Sequence, residues 1–516
     1  MEEKKTKTAR EIHHGNQFKT ILKYSPWYLV STILTKMSVI FLVPIYTKYL
    51  SPEDYGVLNT LTAFGGALPV FISLAIDSSF MRFYFLEKKV SHENVRTLYS
   101  TLFWFIVAWG SVMTTVSLLG APLIFKSLVD IPYWPFMPLT IVPMLLSQLT
   151  DLGSGYLRAN LKTRTFTIIK IARFVVSTSV VVILLVYFRL GIKANLYGAF
   201  CGSFLGLGLY IYLSLRYALL GFYFDWKILK RCLYYSIPFV PIIASSWIAG
   251  LSDRLILAYY GRVREVGLYS ISANVARMLY FANDAITQVQ GPISLSALTE
   301  DRELGKKQVC EFLMVFMWGL TIAYLLLTFF SKEILYLIAN ERYHSAYKLV
   351  GILGFTFVLG GIYRPFSMII SFHAKTWLFA AAAFIQAGIN AALNFAFIPL
   401  FGQYAAAWST LVSVLSYSVW VIWWAQRLDP IPIRRMDILS VIFFLSIALG
   451  VFIFIERADY FSFWEKFLLK LGIIGMYSGA SITNGEFRKF LISGVMLVKG
   501  KGLLSKLFPR RVMGQT

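Results

Sequence analysis

YSIPFVPIIASSWIAGLSDRLILAYYGRVREVGLYSISANVAR, residues Tyr235–Arg277, is the stretch whose reading decides the fold. A Ser-Ile-Pro entry opens an apolar run that ends in Asp253-Arg254-Leu255-Ile256-Leu257. A short polar turn follows, then Glu265-Val266-Gly267-Leu268 and a second run carrying Arg277. The same layout occurs earlier. Tyr24-Ser25-Pro26 opens a run containing Lys36, and Asp54-Tyr55-Gly56-Val57 opens the next. Tyr24 and Tyr235, like Gly56 and Gly267, are 211 residues apart. Lys162-Thr163-Arg164-Thr165-Phe166 and Lys375-Thr376-Trp377-Leu378-Phe379 repeat at an offset of 213. Three landmarks in one order at nearly one offset indicate an internal duplication. In a membrane chain, the polar residues facing the gap between two such halves are the place to look for function.

Composition supports the membrane reading. Across 516 residues the mean hydropathy is +0.65 and 57% of residues are hydrophobic, more apolar than soluble proteins of this size. Aromatic residues make up 17%, in keeping with Trp and Tyr at bilayer interfaces. The net charge of +23 points to cytoplasmic loops and anionic lipid rather than nucleic acid, because the basic residues punctuate apolar runs and form no single face. Cys201, Cys232 and Cys310 are far apart and form no CxxC or Cys/His spacing, so they read as buried free thiols. His13-His14 lies in a polar leader and reads as a solvated pair, and no metal site or cofactor is expected. The N-terminus lacks the pattern of a signal peptide, so the first helix is expected to stay as an anchor.

Crossing the hydrocarbon takes about 20 apolar residues. The sequence supplies runs at 26–49, 55–77, 97–119, 134–157, 166–188, 194–215, 235–257, 265–288, 309–330, 346–370, 377–397, 403–425, 438–456 and 466–483. The expected fold is therefore an all-α polytopic membrane protein with about fourteen transmembrane helices. With a cytoplasmic N-terminus, about 34 Lys and Arg fall on inner segments and about 13 on outer ones. Spans one to six match seven to twelve. Six is even, so the repeats are parallel, related by an axis along the membrane normal. The expected organisation is a cytoplasmic tail 1–22, an N-lobe 23–218, a C-lobe 225–427, two added helices in 437–484, and a basic cytoplasmic tail 485–516. The protein is expected in the cell (inner or plasma) membrane, multi-pass, with both termini cytoplasmic.

Ionisable groups at membrane depth are costly unless paired or wetted, which makes each a functional candidate. Lys36 lies about ten residues into its span, roughly 15 Å deep. Arg277 is comparably deep and shares a helical face with Asn274 and with Asp284; a pairing of Arg277 with Asp284 inside one lobe is the alternative to a cavity role. Arg364, before Pro365, either points into a cavity or sits at the cytoplasmic interface. Arg173 is a further cavity candidate. Asp77 with Arg82, and Asp253 with Arg254, stand near span ends as gate or ion-pair candidates. Deep cations outnumber deep anions. That favours an anionic ligand, and pyrophosphate suits guanidinium groups that bind two oxygens at once.

No Gly-x-Ser-x-Gly, HExxH or P-loop occurs, and no loop is long enough to fold as a catalytic domain, so no enzyme activity is expected. The run Val43-Pro44-Ile45-Tyr46-Thr47-Lys48-Tyr49-Leu50-Ser51-Pro52-Glu53-Asp54-Tyr55-Gly56, with Asp253-Arg254-Leu255-Ile256-Leu257 and Gly267-Leu268-Tyr269-Ser270, resembles the Wzx-type (O-antigen) lipid-linked oligosaccharide flippases. These are the polysaccharide transporters of the multidrug/oligosaccharidyl-lipid/polysaccharide exporter superfamily. The resemblance implies a V-shaped pair of lobes, a central cationic cavity, alternating access, and a polyprenyl-pyrophosphate-linked oligosaccharide as cargo. Membrane lipid, H+ or Na+ as coupling ion, and glycan polymerase and export proteins are the further partners considered. The alternatives are an ion-coupled multidrug-type exporter on the same scaffold and a non-transporting scaffold for glycan assembly enzymes.

Overall fold

A computed structural model describes residues 42–128, 131–160, 162–281, 283–284, 287, 294, 297–299, 301–433, 435–457, 462–483, 485 and 487–488. These residues are helical apart from their connections, with no strand among them. In chain order the helices are α1 (Pro52–Ser73), α2 (Ile76–Lys88), α3 (His92–Leu128), α4 (Phe136–Ala159), α5 (Thr163–Val186), α6 (Ile192–Arg216), α7 (Trp226–Ser236), α8 (Val240–Tyr259) and α9 (Val263–Ala276). There follow α10 (Arg302–Phe329), α11 (Ser331–Ile338), α12 (Tyr347–Phe372), α13 (Trp377–Phe401), α14 (Gln403–Leu428), α15 (Arg435–Arg457) and α16 (Phe463–Thr483). Among the described residues, ten helical stretches are long and apolar enough to cross a membrane.

Two compact units result. One holds Met1–Ile271, Ile338–Tyr343 and Ala391–Ala406; the other holds Ser272–Leu337, His344–Asn390 and Ala407–Thr516. The first unit thus includes the start of the second sequence repeat, up to Ile271.

Local chemistry explains the helix ends. Ser51 caps α1: its hydroxyl accepts from the Asp54 amide at 3.1 Å, and the Asp54 carboxylate accepts from the Ser51 amide at 3.1 Å. This reciprocal arrangement, with Pro52 in the first turn, satisfies amides that a helix start leaves unpaired. Leu74 and Ala75, both with positive φ, end α1 and turn the chain into α2. The span expected at 134–157 forms one helix despite its prolines. Pro138 falls in the first turn of α4, where the amide has no intrahelical acceptor to lose.

In the first unit, α6 packs on α5 and α4, and α1 on α8. Gly198, Gly202 and Gly206 make the α5–α6 approach possible. A Cβ would lie 2.7 Å from the Ser177 carbonyl oxygen at Gly198, 2.9 Å from Ser177 Cβ at Gly202, and 2.6 Å from Arg173 Cδ at Gly206. Small residues every fourth position let helix backbones close in lipid, where apolar contact alone gives no net drive. Phe80, Tyr99, Leu102, Ile106 and Leu152 form the buried core beneath, and Tyr99 OH meets Ser214 Oγ at 2.7 Å.

Gly56 of α1 and Gly267 of α9 form a second close approach in this unit. A Cβ on Gly56 would collide with the Val263 carbonyl oxygen, and one on Gly267 with that of Pro52. The two glycines occupy equivalent positions of the sequence repeat and pack reciprocally. Tyr343 OH donates to the Leu50 carbonyl at 3.1 Å, and Arg264 lies 3.5 Å from Glu53 beside them.

In the second unit, α10 packs on α12, and α15 and α16 pack on each other and on α10. Thr321 Oγ1 and Tyr477 OH are 2.7 Å apart, and Phe329 stacks on Phe452 at 4.3 Å. Lys470, fully buried in α16, donates to Glu333 of α11 at 2.8 Å. A lone ammonium there would cost several kcal/mol.

Candidate functional site

Among the described residues, each unit holds buried or half-buried polar groups in its span-forming helices. In the first unit, Arg173 of α5 donates from Nη1 to Thr150 Oγ1 at 2.9 Å while its stem rests against Gly206. Asp151 lies within electrostatic reach of Arg173 and of Arg158. Asp77 at the start of α2 interacts with Asp151 and Arg158, and its Oδ1 is buried with no hydrogen-bond partner among the described residues. Arg173 therefore belongs to a charge cluster shared by α2, α4 and α5. Arg82, the other half of the sequence pair with Asp77, is exposed and sits 4.5 Å over the Tyr235 ring.

Asp253 and Arg254 are both buried in α8 and bond to each other, Arg254 Nη1 reaching Asp253 Oδ1 at 2.9 Å. Tyr269 of α9 donates to the other carboxylate oxygen of Asp253, and Arg254 lies 5.3 Å over the Tyr269 ring. The bonds shown for this pair run within α8 and to α9, Arg254 Nη1 also reaching the Gly250 carbonyl at 3.2 Å.

In the second unit, Arg364 is half-buried in the middle of α12, and its Nε has no hydrogen-bond partner among the described residues. Tyr363 and Tyr417 stand 5.0 Å apart, both within electrostatic reach of Arg364. Tyr280 lies 6.1 Å from Phe357 on the same helix, and Asn283 Nδ2 approaches the Phe357 carbonyl at 3.5 Å. Tyr280 and Asn283 thus pack on α12 at Phe357, seven residues before Arg364. Arg277, Asn274 and Asp284 are part-buried and each is engaged with a neighbour. Sequence periodicity predicts a continuous helix over 265–288. Instead α9 ends at Ala276 and Arg277 stands in a turn, its amide bonded to Ala273 at 2.9 Å. Lys36 lies outside the described residues.

Away from the membrane spans, Asp429 follows α14 and gathers Arg302 Nε at 2.7 Å and Lys306 Nζ at 3.1 Å. Burial alone would raise its carboxyl pKa. The hydrogen bonds from Arg302 and Lys306, with their charges, hold it below the ordinary carboxylate range. Among the described residues, no cluster of His, Cys, Asp and Glu has the arrangement of a metal site.

Sequence reasoning did not single out Thr150, Arg158, Tyr363 or Tyr417 as site residues. Arg158 ends a span and reads as an interface charge. Tyr417 sits on a helix two connections away from Arg364, with no motif linking them.

A guanidinium with an unsatisfied N–H amid tyrosines can bind an oxyanion and stack against ring faces. Comparison with known proteins bears on what such a site serves. A family model described as polysaccharide biosynthesis protein matches residues 45–346, more than half of the chain. The chain belongs to that family. The chain is 22% identical over 311 residues to Lsg locus putative protein 1 of Haemophilus influenzae, covering 57% of this chain and 72% of that protein. It is 23% identical over 297 residues to the uncharacterized membrane protein MJ1068 of Methanocaldococcus jannaschii, covering 56% and 55%. Among solved structures it is similar to the lipid II flippase MurJ in an inward closed conformation, with TM-score 0.70 and 17% identity over 89% of this chain and 99% of that one. An inward-facing multidrug resistance MATE transporter matches with TM-score 0.61 and 13% identity over 76% and 94%. The chain shares its fold with these two transporters, in keeping with the resemblance of Val43–Gly56 and Asp253–Leu257.

Proposed function

We propose that the protein is a flippase that carries a polyprenyl-pyrophosphate-linked oligosaccharide from the cytoplasmic to the outer leaflet of the cell membrane. It works by alternating access, is multi-pass, has both termini in the cytoplasm, and performs no enzymatic step. One observation carries the reading: a family match to polysaccharide biosynthesis is written on a fold shared with a lipid flippase. A sugar chain cannot enter hydrocarbon unaided, because its hydroxyls would lose water without replacement. Arg364 and Arg277, with Lys36, hold the pyrophosphate, while Tyr280, Tyr363 and Tyr417 offer ring faces to sugars. An inside-negative potential favours outward movement of an anion by about 2.3 kcal/mol per charge per 100 mV, and cationic side chains moving with it reduce that gain.

The reciprocal crossing at Gly56 and Gly267 is the contact that parts on the outer side during the cycle. Accordingly, a disulfide joining Glu53→Cys to Arg264→Cys stops transport until it is reduced. Transport that continues with the bridge formed rejects this role for the crossing.

The deciding experiment is flipping of a polyprenyl-pyrophosphate glycan in proteoliposomes, comparing wild type with Lys36→Ala, Arg277→Ala and Arg364→Ala. Wild-type flipping that is lost in folded variants supports both cargo and site. Equal flipping in all four keeps the cargo and rejects the site. A second reading, an ion-coupled exporter of small molecules, draws on the Asp77–Asp151 cluster and the MATE fold match. An inert wild type, together with drug export abolished by Asp151→Asn, selects it.

A further inference from the structure

The segment joining the two sequence repeats, residues 219–236, is held unusually firmly for a connection. Ser100 Oγ donates to the Leu219 carbonyl at 2.8 Å and accepts from the Gly221 amide at 3.0 Å. Trp104 Nε1 donates to the Gly221 carbonyl at 2.8 Å, and the Asp225 amide donates to Thr101 Oγ1 at 3.0 Å. Arg96 stacks over Tyr223 at 4.4 Å. Arg231 pairs with Glu87, whose other oxygen accepts from Asn94 at 3.0 Å. Asp225 then caps α7, accepting from the Lys227 and Ile228 amides.

These contacts fix which way α7 faces. Leu229, Cys232 and Ser236 are buried on one side. Around the helix at 100° per residue, Trp226, Lys227, Lys230 and Tyr234 fall together on the opposite side. All four are exposed, Trp226 at 66% and Tyr234 at 86%. Phe222 and Phe224, just upstream, are also exposed, Phe222 at 94%. A surface of large aromatics interleaved with lysines is poorly suited to open water.

Its depth identifies what covers it. The stretch Trp226–Tyr259 is 34 residues long, yet α8 alone has 20, enough to cross the hydrocarbon core of about 30 Å. A 3-10 turn at Ile237–Phe239 containing Pro238 separates α7 from α8. So α7 lies at the end of a span, at headgroup level, where Trp and Tyr are favoured. The lysines there select for negative charge.

We propose that the exposed face of α7, with Phe222 and Phe224, binds anionic phospholipid headgroups and anchors the joint between the repeats to the leaflet surface. This does not rest on the cargo reading. The aromatics enter the interface, Lys227 and Lys230 meet the phosphates, and the Glu87–Arg231 pair holds the helix at its flank.

The test uses the full chain with Cys201, Cys232 and Cys310 replaced by alanine and Tyr234→Cys carrying an environment-sensitive fluorophore. It is placed in phosphatidylcholine vesicles with or without phosphatidylglycerol. The expected result is blue-shifted emission in the anionic vesicles, quenched by spin-labelled lipid and not by a neutral water-soluble quencher. Enrichment of phosphatidylglycerol retained through purification, read by mass spectrometry, falls about fivefold for each of Lys227→Ala and Lys230→Ala. Both lysines lie on the exposed face and leave the clamp intact, and a wild-type melting temperature checks that these variants fold. Quenching from water in both vesicle types means that the face meets the cytosol, and it overturns the proposal. Lipid quenching with no dependence on headgroup charge or on the two lysines reduces the face to an aromatic anchor and overturns the anionic recognition.

Discussion

Arg173 and Arg364 are the same residue type, each in a span-forming helix, yet their surroundings differ. Arg173 has a hydrogen bond to Thr150, a carboxylate within reach at Asp151 and a stem pressed on Gly206. Arg364 keeps an N–H without a partner among the described residues and is bordered by tyrosines. Depth in the membrane marks both as costly, but only the neighbours distinguish a charge that closes a cluster from one able to bind a ligand.

The largest expected effect is on Arg173. Arg173→Ala leaves Asp151 short of a cation and opens space beside Gly206, costing about 3–5 kcal/mol. A marked drop in melting temperature in detergent is the readout. A normal melting curve with lost transport would break the comparison, making Arg173 a ligand group. Next comes Arg364→Ala, expected to lower flipping about tenfold to hundredfold, the equivalent of a charged hydrogen bond, with little change in melting temperature. Arg364→Lys restores charge without the planar fork and recovers only part of the rate. If lysine serves equally well, geometry is not what Arg364 supplies.

A smaller effect separates locked from open charge within the second unit. Asp429 has its folded pKa lowered, so its stabilisation is fully present above the unfolded carboxylate pKa of about 3.9 and is lost as pH falls through the folded value. Acid unfolding of wild type is therefore steeper than that of Asp429→Asn. At neutral pH Asp429→Asn costs about 1–2 kcal/mol, discounted because Arg302 is half-exposed. Parallel acid-unfolding curves for the two proteins would show that Asp429 contributes nothing.

Much of the fold was legible because membranes enforce length. Runs such as 166–188 and 403–425 reappear as α5 and α14 with ends shifted by a few residues. The run 265–288 is helical on both sides of the turn at Arg277, and the sequence does not mark that interruption, since no proline or glycine stands there. The site was legible only in its residue types. Arg364 could be named from depth, but that Tyr363 and Tyr417 border it depends on the packing of α12 and α14. Asp253 and Arg254, adjacent in sequence, read as two charges at a span end. The long arginine side chain folds back onto its neighbour, and Tyr269 completes the group.

The crossing of Gly56 and Gly267 has the form of a contact between two copies of one part. Each glycine stands at the same position of its repeat, and each meets the backbone of the other's helix start. That is the form of an isologous contact, in which one patch meets its own copy across a two-fold axis. A six-span precursor that paired through this helix start would have used the same surface twice. Here both sides of that contact belong to one chain, so it forms without any association between subunits. A substitution at one glycine leaves the other in place, so each side of the crossing can be blocked separately, at Gly56 against the Val263 carbonyl and at Gly267 against that of Pro52.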